Sequence, residues 1–143
     1  LNLPLIVAGE GRDRVRLQAS AGPTVKFLGR VSREELADLM AHCQALIFPG
    51  LEDFGISPVQ AMASGRPVIA YACGGALDYI REGETGCFFR KQSVQDLART
   101  VQQFDSQQFD SGTIRQFALR FDRSIFEQKL RRFIDLSISK GQV

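Results

Sequence analysis

Glu52 and Gln60 stand eight positions apart around a run whose residue types suit an anion and a polyol together. Between them lie Asp53, Phe54, Gly55, Ile56, Ser57, Pro58 and Val59, and Ala61-Met62-Ala63-Ser64-Gly65-Arg66-Pro67-Val68-Ile69-Ala70 follows. Ser57 suits an N-cap and Pro58 a first helical position, while Gly65 and Pro67 suit a helix stop before an apolar run. The segment 52–56 is therefore expected at a helix N-terminus, where unpaired N–H groups and a partial positive charge favour phosphate. Glu52 beside it can accept hydrogen bonds from sugar hydroxyls. The same acid could instead only stabilise the helix dipole, and Ser57-x-x-Gln60 is itself a capping box. At Gly55 the missing side chain would let a ligand approach the backbone closely.

This run resembles the nucleotide-sugar signature of the retaining glycosyltransferases of GT-B fold, family 4. Their pattern is Glu, seven residues, Glu, then Ala-Met-Ala-x-Gly-x-Pro-Val. Here Gln60 stands in place of the second acid. The resemblance implies that Glu52 holds the donor sugar as the catalytic-site acid, that the Asp53, Phe54, Gly55 and Ile56 loop holds sugar and diphosphate, and that position 60 holds the ribose. An amide there would lose a charge-assisted bond, weakening donor affinity by roughly tenfold.

Other segments extend the likeness over residues 1–104. Leu5 to Gly11 resembles the Val-Val-Gly-Asp-Gly strand and turn, which places Gly9 and Gly11 against the base or phosphate; a tight strand-to-helix turn explains those glycines equally well. Arg30 and Val31 fall where the family frames the base. Gly74 and Gly75 match a Gly pair near the diphosphate, or simply supply unusual dihedrals. Asp78 departs from the Glu common at its place in the family. Gly9-Glu10-Gly11 followed by Arg14 fails the dinucleotide pattern Gly-x-Gly-x-x-Gly, which disfavours a dehydrogenase.

The elements that must position these residues are legible as apolar runs. Leu5–Ala8, Thr24–Leu28, Ala45–Pro49, Pro67–Tyr71 and Cys87–Phe89 read as strands, the first as one buried on both faces. Between them, Arg12–Ala19 has helical composition with Val15 and Leu17 as anchors, and Ser32 with Glu35 forms a capping box for a helix carrying Leu36, Leu39, Met40 and Cys43. A short segment at 76–81 follows Gly75. Ser93 opens an amphipathic helix through Phe104, and the Ile114–Phe121 and Phe126–Ile134 patterns give two more. Strands alternating with helices imply an α/β fold: a Rossmann-like, doubly wound parallel sheet with helices on both faces, followed by C-terminal helices, with ligands at the strands' carboxyl ends.

With 143 residues and 44% hydrophobic content the chain suits one soluble domain spanning 1–143. Eighteen basic against sixteen acidic residues, net +2, argue against nucleic-acid binding. Cys43, Cys73 and Cys87 form no Cys-x-x-Cys and read as reduced thiols of a cytoplasmic protein, with no metal site. His42, the sole histidine, is expected to be partly buried and structural. Arg131, Arg132 and Lys140 could bring the last helix to the inner face of an anionic membrane, or form a solvated face.

The resemblance further implies the C-terminal, donor-binding half of a GT-B enzyme truncated at its N-terminus, using no cofactor. Its donor would be GDP-mannose or a UDP-sugar, and its glycan or lipid-linked acceptor would be held by an absent N-terminal domain, so the chain alone should be inactive. The first strand and helix of the donor domain would also be missing. In the strand order 3-2-1-4-5-6 that strand is central, which predicts a gap that either closes or leaves unpaired edges. Two other classes stay open: a nucleotide-sugar-binding module without catalysis, and a GT-B-fold nucleotide-sugar epimerase.

Overall fold

A computed structural model describes residues 1–139. Its order is β1 (Leu5–Ala8), α1 (Arg14–Ser20), β2 (Val25–Gly29), α2 (Arg33–His42), β3 (Leu46–Phe48), α3 (Ile56–Ala63), β4 (Val68–Tyr71), α4 (Ala76–Tyr79), β5 (Gly86–Phe89), α5 (Val94–Gln103), α6 (Ser111–Ala118) and α7 (Arg123–Ser139). Single 3-10 turns at Ser106–Gln108 and Leu119–Phe121 flank α6. All strand pairs are parallel, so every strand's carboxyl end lies on the same side of its sheet.

The strands form two ladders. β1 pairs with β2, from Leu5 opposite Val25 to Ala8 opposite Gly29, and β3, β4 and β5 form a second sheet in which Ile69 lies between Ile47 and Cys87. β1 and β3 are not paired with each other, so of the two outcomes expected for a gap the unpaired edges are the one observed. The contrast in burial follows. Val68, Ile69 and Ala70 of the central strand β4 are 0–2% exposed, whereas Leu5 and Ile6 are 40% and 49% exposed. The expectation that β1 is buried on both faces is therefore corrected. It has one strand neighbour, and α1 after it buries no residue; Val15 and Leu17 are exposed instead of anchoring that helix.

The core gathers where the second sheet meets its helices. Ala61 and Met62 of α3, Val68 and Ala70 of β4, Ala76 and Tyr79 of α4, Ile80, and Ile114 and Ala118 of α6 form one buried cluster. Burying Met62 or Ile114 stabilises the fold by about 1.5–3 kcal/mol each. Two buried polar side chains, Thr85 and Asp96, are satisfied locally. Thr85 is fully buried and its hydroxyl accepts from the Arg81 N–H at 2.9 Å. The Asp96 carboxylate accepts from the Arg90 and Lys91 N–H groups, each at 2.7 Å, and pairs with Arg99.

Helix starts follow their caps. The Ser32 hydroxyl accepts from the Glu35 N–H while the Glu35 carboxylate accepts from the Ser32 N–H, completing the capping box. Ser93 and Asp110 cap α5 and α6. His42 is exposed rather than partly buried, its Nδ1 2.8 Å from the Asp38 carbonyl oxygen one turn back. On α7, Phe126, Phe133 and Ile138 are more than 60% exposed and no residue is buried. The basic residues Arg131 and Arg132 thus lie on a helix that is not packed into the core, and Lys140 lies outside the described residues.

Candidate functional site

The carboxyl end of β3 leads through Pro49 and Gly50 into the loop 51–55 and so into α3. The helix begins two residues earlier than its sequence suggests: Ile56 is its first residue, Gly55 its N-cap, and no side chain caps it. Ser57 and Pro58 are the second and third helical residues. A proline there loses nothing, because first-turn N–H groups have no intrahelical partner. The capping box between Ser57 and Gln60 is consequently not formed, which removes the structural alternative for Gln60; its side chain is exposed. No acidic residue occupies the first turn of α3, so its positive end is not neutralised from within.

Gly55 is held in a conformation open to glycine, φ 85° and ψ 94°. A Cβ there would come within 2.8 Å of both Phe48 Cζ and the Tyr79 hydroxyl oxygen. The loop is therefore pressed onto β3 and α4, and Phe54 extends the contact with its ring 5.6 Å from that of Tyr79 and 5.8 Å from that of Phe121.

From the carboxyl end of β4 a second loop reaches the same place. The Gly75 N–H donates to the Glu52 carbonyl at 2.9 Å. A Cβ on Gly75 would lie 1.9 Å from the Asp53 carbonyl oxygen, and one on Gly74 would lie 2.7 Å from the Glu52 carbonyl oxygen. The structure thus brings Glu52, Asp53, Phe54, Gly55 and Ile56 together with Gly74 and Gly75 through backbone packed on backbone. Glu52 and Asp53 are exposed, and neither side chain forms an ion pair among the described residues. The arrangement offers two free carboxylates beside a helix N-terminus.

The other candidates gather at the carboxyl ends of β1 and β2. The Gly9 N–H donates to the Gly29 carbonyl at 2.6 Å, and the Arg14 N–H to the Gly11 carbonyl at 3.1 Å, so Gly9 and Gly11 shape the turn that opens α1. Glu10 and Arg14 pair over Gly29. Arg30 is exposed and Val31 half-buried just beyond. No hydrogen bond joins this group to the Glu52 loop among the described residues.

Two surface depressions contain no candidate residue. One of about 550 Å³ is lined by Arg81, Asp110, Thr113 and Phe117, and one of about 250 Å³ by Val59, Arg115 and Phe121. The Glu52 loop is open surface. Among the described residues there is no cluster of three metal-ligating side chains, and no helix is long and apolar enough to cross a membrane.

One residue the sequence did not single out belongs here. Tyr79 is 1% exposed, and its hydroxyl has no hydrogen-bond partner among the described residues. Burial pushes the phenol up to about 12, with the negative charges of Glu52 and then Asp78 adding to it. The only signal available was a tyrosine in an apolar segment straight after a glycine pair.

Comparison with known proteins gives these loops a context. The family model for glycosyl transferases group 1 matches residues 1–118. The GDP-mannose-dependent alpha-mannosyltransferase of Mycobacterium tuberculosis is 42% identical over 83 residues, covering 57% of this chain and 22% of that protein. The D-inositol 3-phosphate glycosyltransferase of Streptomyces coelicolor is 31% identical over 96 residues, 66% of this chain and 21% of that one. Among solved structures, Anabaena HepE in complex with UDP and glucose superposes with a TM-score of 0.76 at 25% identity, covering 92% of this chain and 40% of that one. Sucrose-phosphate synthase of Thermosynechococcus elongatus gives 0.77 at 26%, covering 96% and 39%. The chain thus spans about a fifth of the length of these curated relatives.

Proposed function

Because the chain belongs to the glycosyl transferases group 1 family, we propose that residues 1–143 form the donor-binding domain of a retaining hexosyltransferase of GT-B fold, with GDP-mannose as the donor. In this reading the diphosphate lies at the N-terminus of α3, held by main-chain N–H groups of the 52–56 loop and of Gly74 and Gly75. Glu52 accepts from hydroxyls of the hexose. Gln60, one turn into the helix and exposed, faces the ribose, while Gly9, Gly11, Arg30 and Val31 frame the base.

The observation that carries this reading is the convergence of two strand-end loops, with Gly75 hydrogen-bonded to Glu52 and the Glu52 carboxylate left free. Mannose is supported by the mycobacterial relatives, which are described as GDP-mannose-dependent. A UDP-sugar is the second reading, and the UDP and glucose bound by HepE favour it.

Chemistry in such a site is electrostatic. As the bond from the anomeric carbon to the diphosphate breaks, prearranged N–H dipoles stabilise the charge on the leaving group, while the acceptor hydroxyl attacks from the face the diphosphate vacates. In this reading the acceptor is held by a further, N-terminal domain, so the chain alone binds donor without transferring it. The lengths of the relatives support that division.

Calorimetric titration of the chain with GDP-mannose, UDP-glucose, GDP and UDP tests the assignment. One sugar nucleotide is expected to bind, and Glu52→Gln to weaken it by about tenfold while leaving the matching nucleoside diphosphate unchanged. Equal binding of that sugar nucleotide by Glu52→Gln and the wild type would remove Glu52 from the site.

A further inference from the structure

The loop 52–55 packs against a hydroxyl without an acceptor and itself carries a carboxylate in no ion pair among the described residues. Tyr79 is 1% exposed, and its hydroxyl is unpartnered among the described residues. Its oxygen lies 2.8 Å from where a Cβ of residue 55 would be, at the N-cap of α3. Leaving a hydroxyl stranded in an apolar setting is unfavourable, and phenylalanine would fill the same space without that cost. The ring itself is well packed, 5.6 Å from Phe54 and 6.2 Å from Phe121. Packing therefore accounts for an aromatic residue at 79, though not for its oxygen.

The loop that packs against this hydroxyl also carries the free carboxylate of Glu52. Glu52 is the first charged group to act on the phenol, after burial, and Asp78 the second. The main chain at the N-cap of α4 is already tied to this loop, since the Gly75 N–H donates to the Glu52 carbonyl. The Glu52 side chain is exposed and forms no ion pair among the described residues. Held up to about 12, the phenol keeps its proton at neutral pH and can only donate while a carboxylate can only accept.

We propose that Tyr79 is a positioning residue for sugar recognition: when a sugar nucleotide binds at the 52–55 loop, the Glu52 side chain swings to accept from the Tyr79 hydroxyl through one oxygen and turns its other oxygen toward the hexose. The inference rests on Glu52 being the sugar contact. It adds a polar partner to that contact, one whose hydrogen bond forms only with the sugar bound.

The test is calorimetric titration of the full chain, wild type, Tyr79→Phe, Glu52→Gln and the double variant, with GDP-mannose and UDP-glucose and with GDP and UDP, together with Tm in the absence of nucleotide. Tyr79→Phe is expected to bind the sugar nucleotide about tenfold more weakly and the nucleoside diphosphate as before. Its Tm should be unchanged or higher, because a stranded hydroxyl has been removed. In the Glu52→Gln background the same substitution should cost nothing further. Unchanged sugar-nucleotide affinity in Tyr79→Phe overturns the proposal, as do an equal loss for the nucleoside diphosphate, a lowered Tm or an additive double variant. A wild-type chain that binds no sugar nucleotide overturns the donor-site assignment itself, and this role with it.

Discussion

Gly75→Ala tests the loop-on-loop contact that builds the candidate site, because the backbone conformation at this position is no obstacle. With φ −60° and ψ −19°, alanine suits position 75, and lower unfolded-state entropy would by itself stabilise the variant by about 0.4–1 kcal/mol. What alanine cannot do is fit. Its Cβ would lie 1.9 Å from the Asp53 carbonyl oxygen and 2.5 Å from the Asp53 carbonyl carbon, against a floor of 3.0 Å for such contacts, so the loop must retreat by about 1.1 Å. Both contacts are backbone, and no rotamer can relieve them. Overpacking of this kind costs about 1–3 kcal/mol. The retreat also breaks the 2.9 Å bond from the Gly75 N–H to the Glu52 carbonyl, another 0.5–1.5 kcal/mol or so. After the entropic gain, a net loss of roughly 0.5–4 kcal/mol remains. For a chain of this size each kcal/mol moves Tm by about 3–4 °C, so scanning calorimetry should show a fall of roughly 2–16 °C. Sugar-nucleotide affinity should drop as well, since Glu52 moves with the loop. An unchanged or raised Tm would mean that the two loops do not pack as described, and the site would lose its framework.

Two further outcomes follow from the same geometry. Gln60→Glu should tighten nucleotide binding by about tenfold, by offering a charged acceptor to the ribose, and calorimetric titration with the nucleoside diphosphate reads it directly. Asp110 and Asp122 have carboxyls held below the usual aspartate value of 3.8, chiefly by side-chain hydrogen bonds from Thr113 and Ser124 and then by backbone N–H groups. Folding lowers these pKa values, so the stability they contribute is complete above the unfolded value and is lost as pH falls below about 3.8 toward the folded values. Tm measured from pH 6 downward should therefore fall below pH 4 or so, and less steeply in Asp110→Asn, whose cap no longer titrates.

Most of the fold was legible because its signals are local. The Ser32 and Glu35 capping box, the Ser93 cap and the five apolar runs need only neighbours in sequence, and each strand was placed to within a residue or so. The start of α3 was misplaced because its cause is tertiary. Ser57 is the better N-cap by type, but Gly55 is pressed between Phe48 and Tyr79 in a conformation that starts the helix at Ile56. Periodicity marked the apolar faces of α1 and α7, yet could not say that Val15 and Phe133 would be left uncovered, since it carries no information about a partner. The Gly74 and Gly75 pair was noted for its dihedrals. Its larger effect, admitting the backbone of Asp53, depends on a residue more than twenty positions away. Nothing local distinguished the stranded oxygen of Tyr79 from an ordinary core aromatic.

The two separate ladders have a practical consequence for handling this chain. β1 and β3 each carry a row of main-chain donors and acceptors facing no neighbouring strand, and β1 is also rich in exposed aliphatic carbon. Stickiness of that sort is directional, since it recruits extended peptide and not arbitrary grease. Concentrated samples would accordingly lose material as fibrous, dye-binding precipitate with strands stacked about 4.7–4.8 Å apart, and a short soluble peptide of alternating valine and lysine should slow the loss by occupying the open rungs.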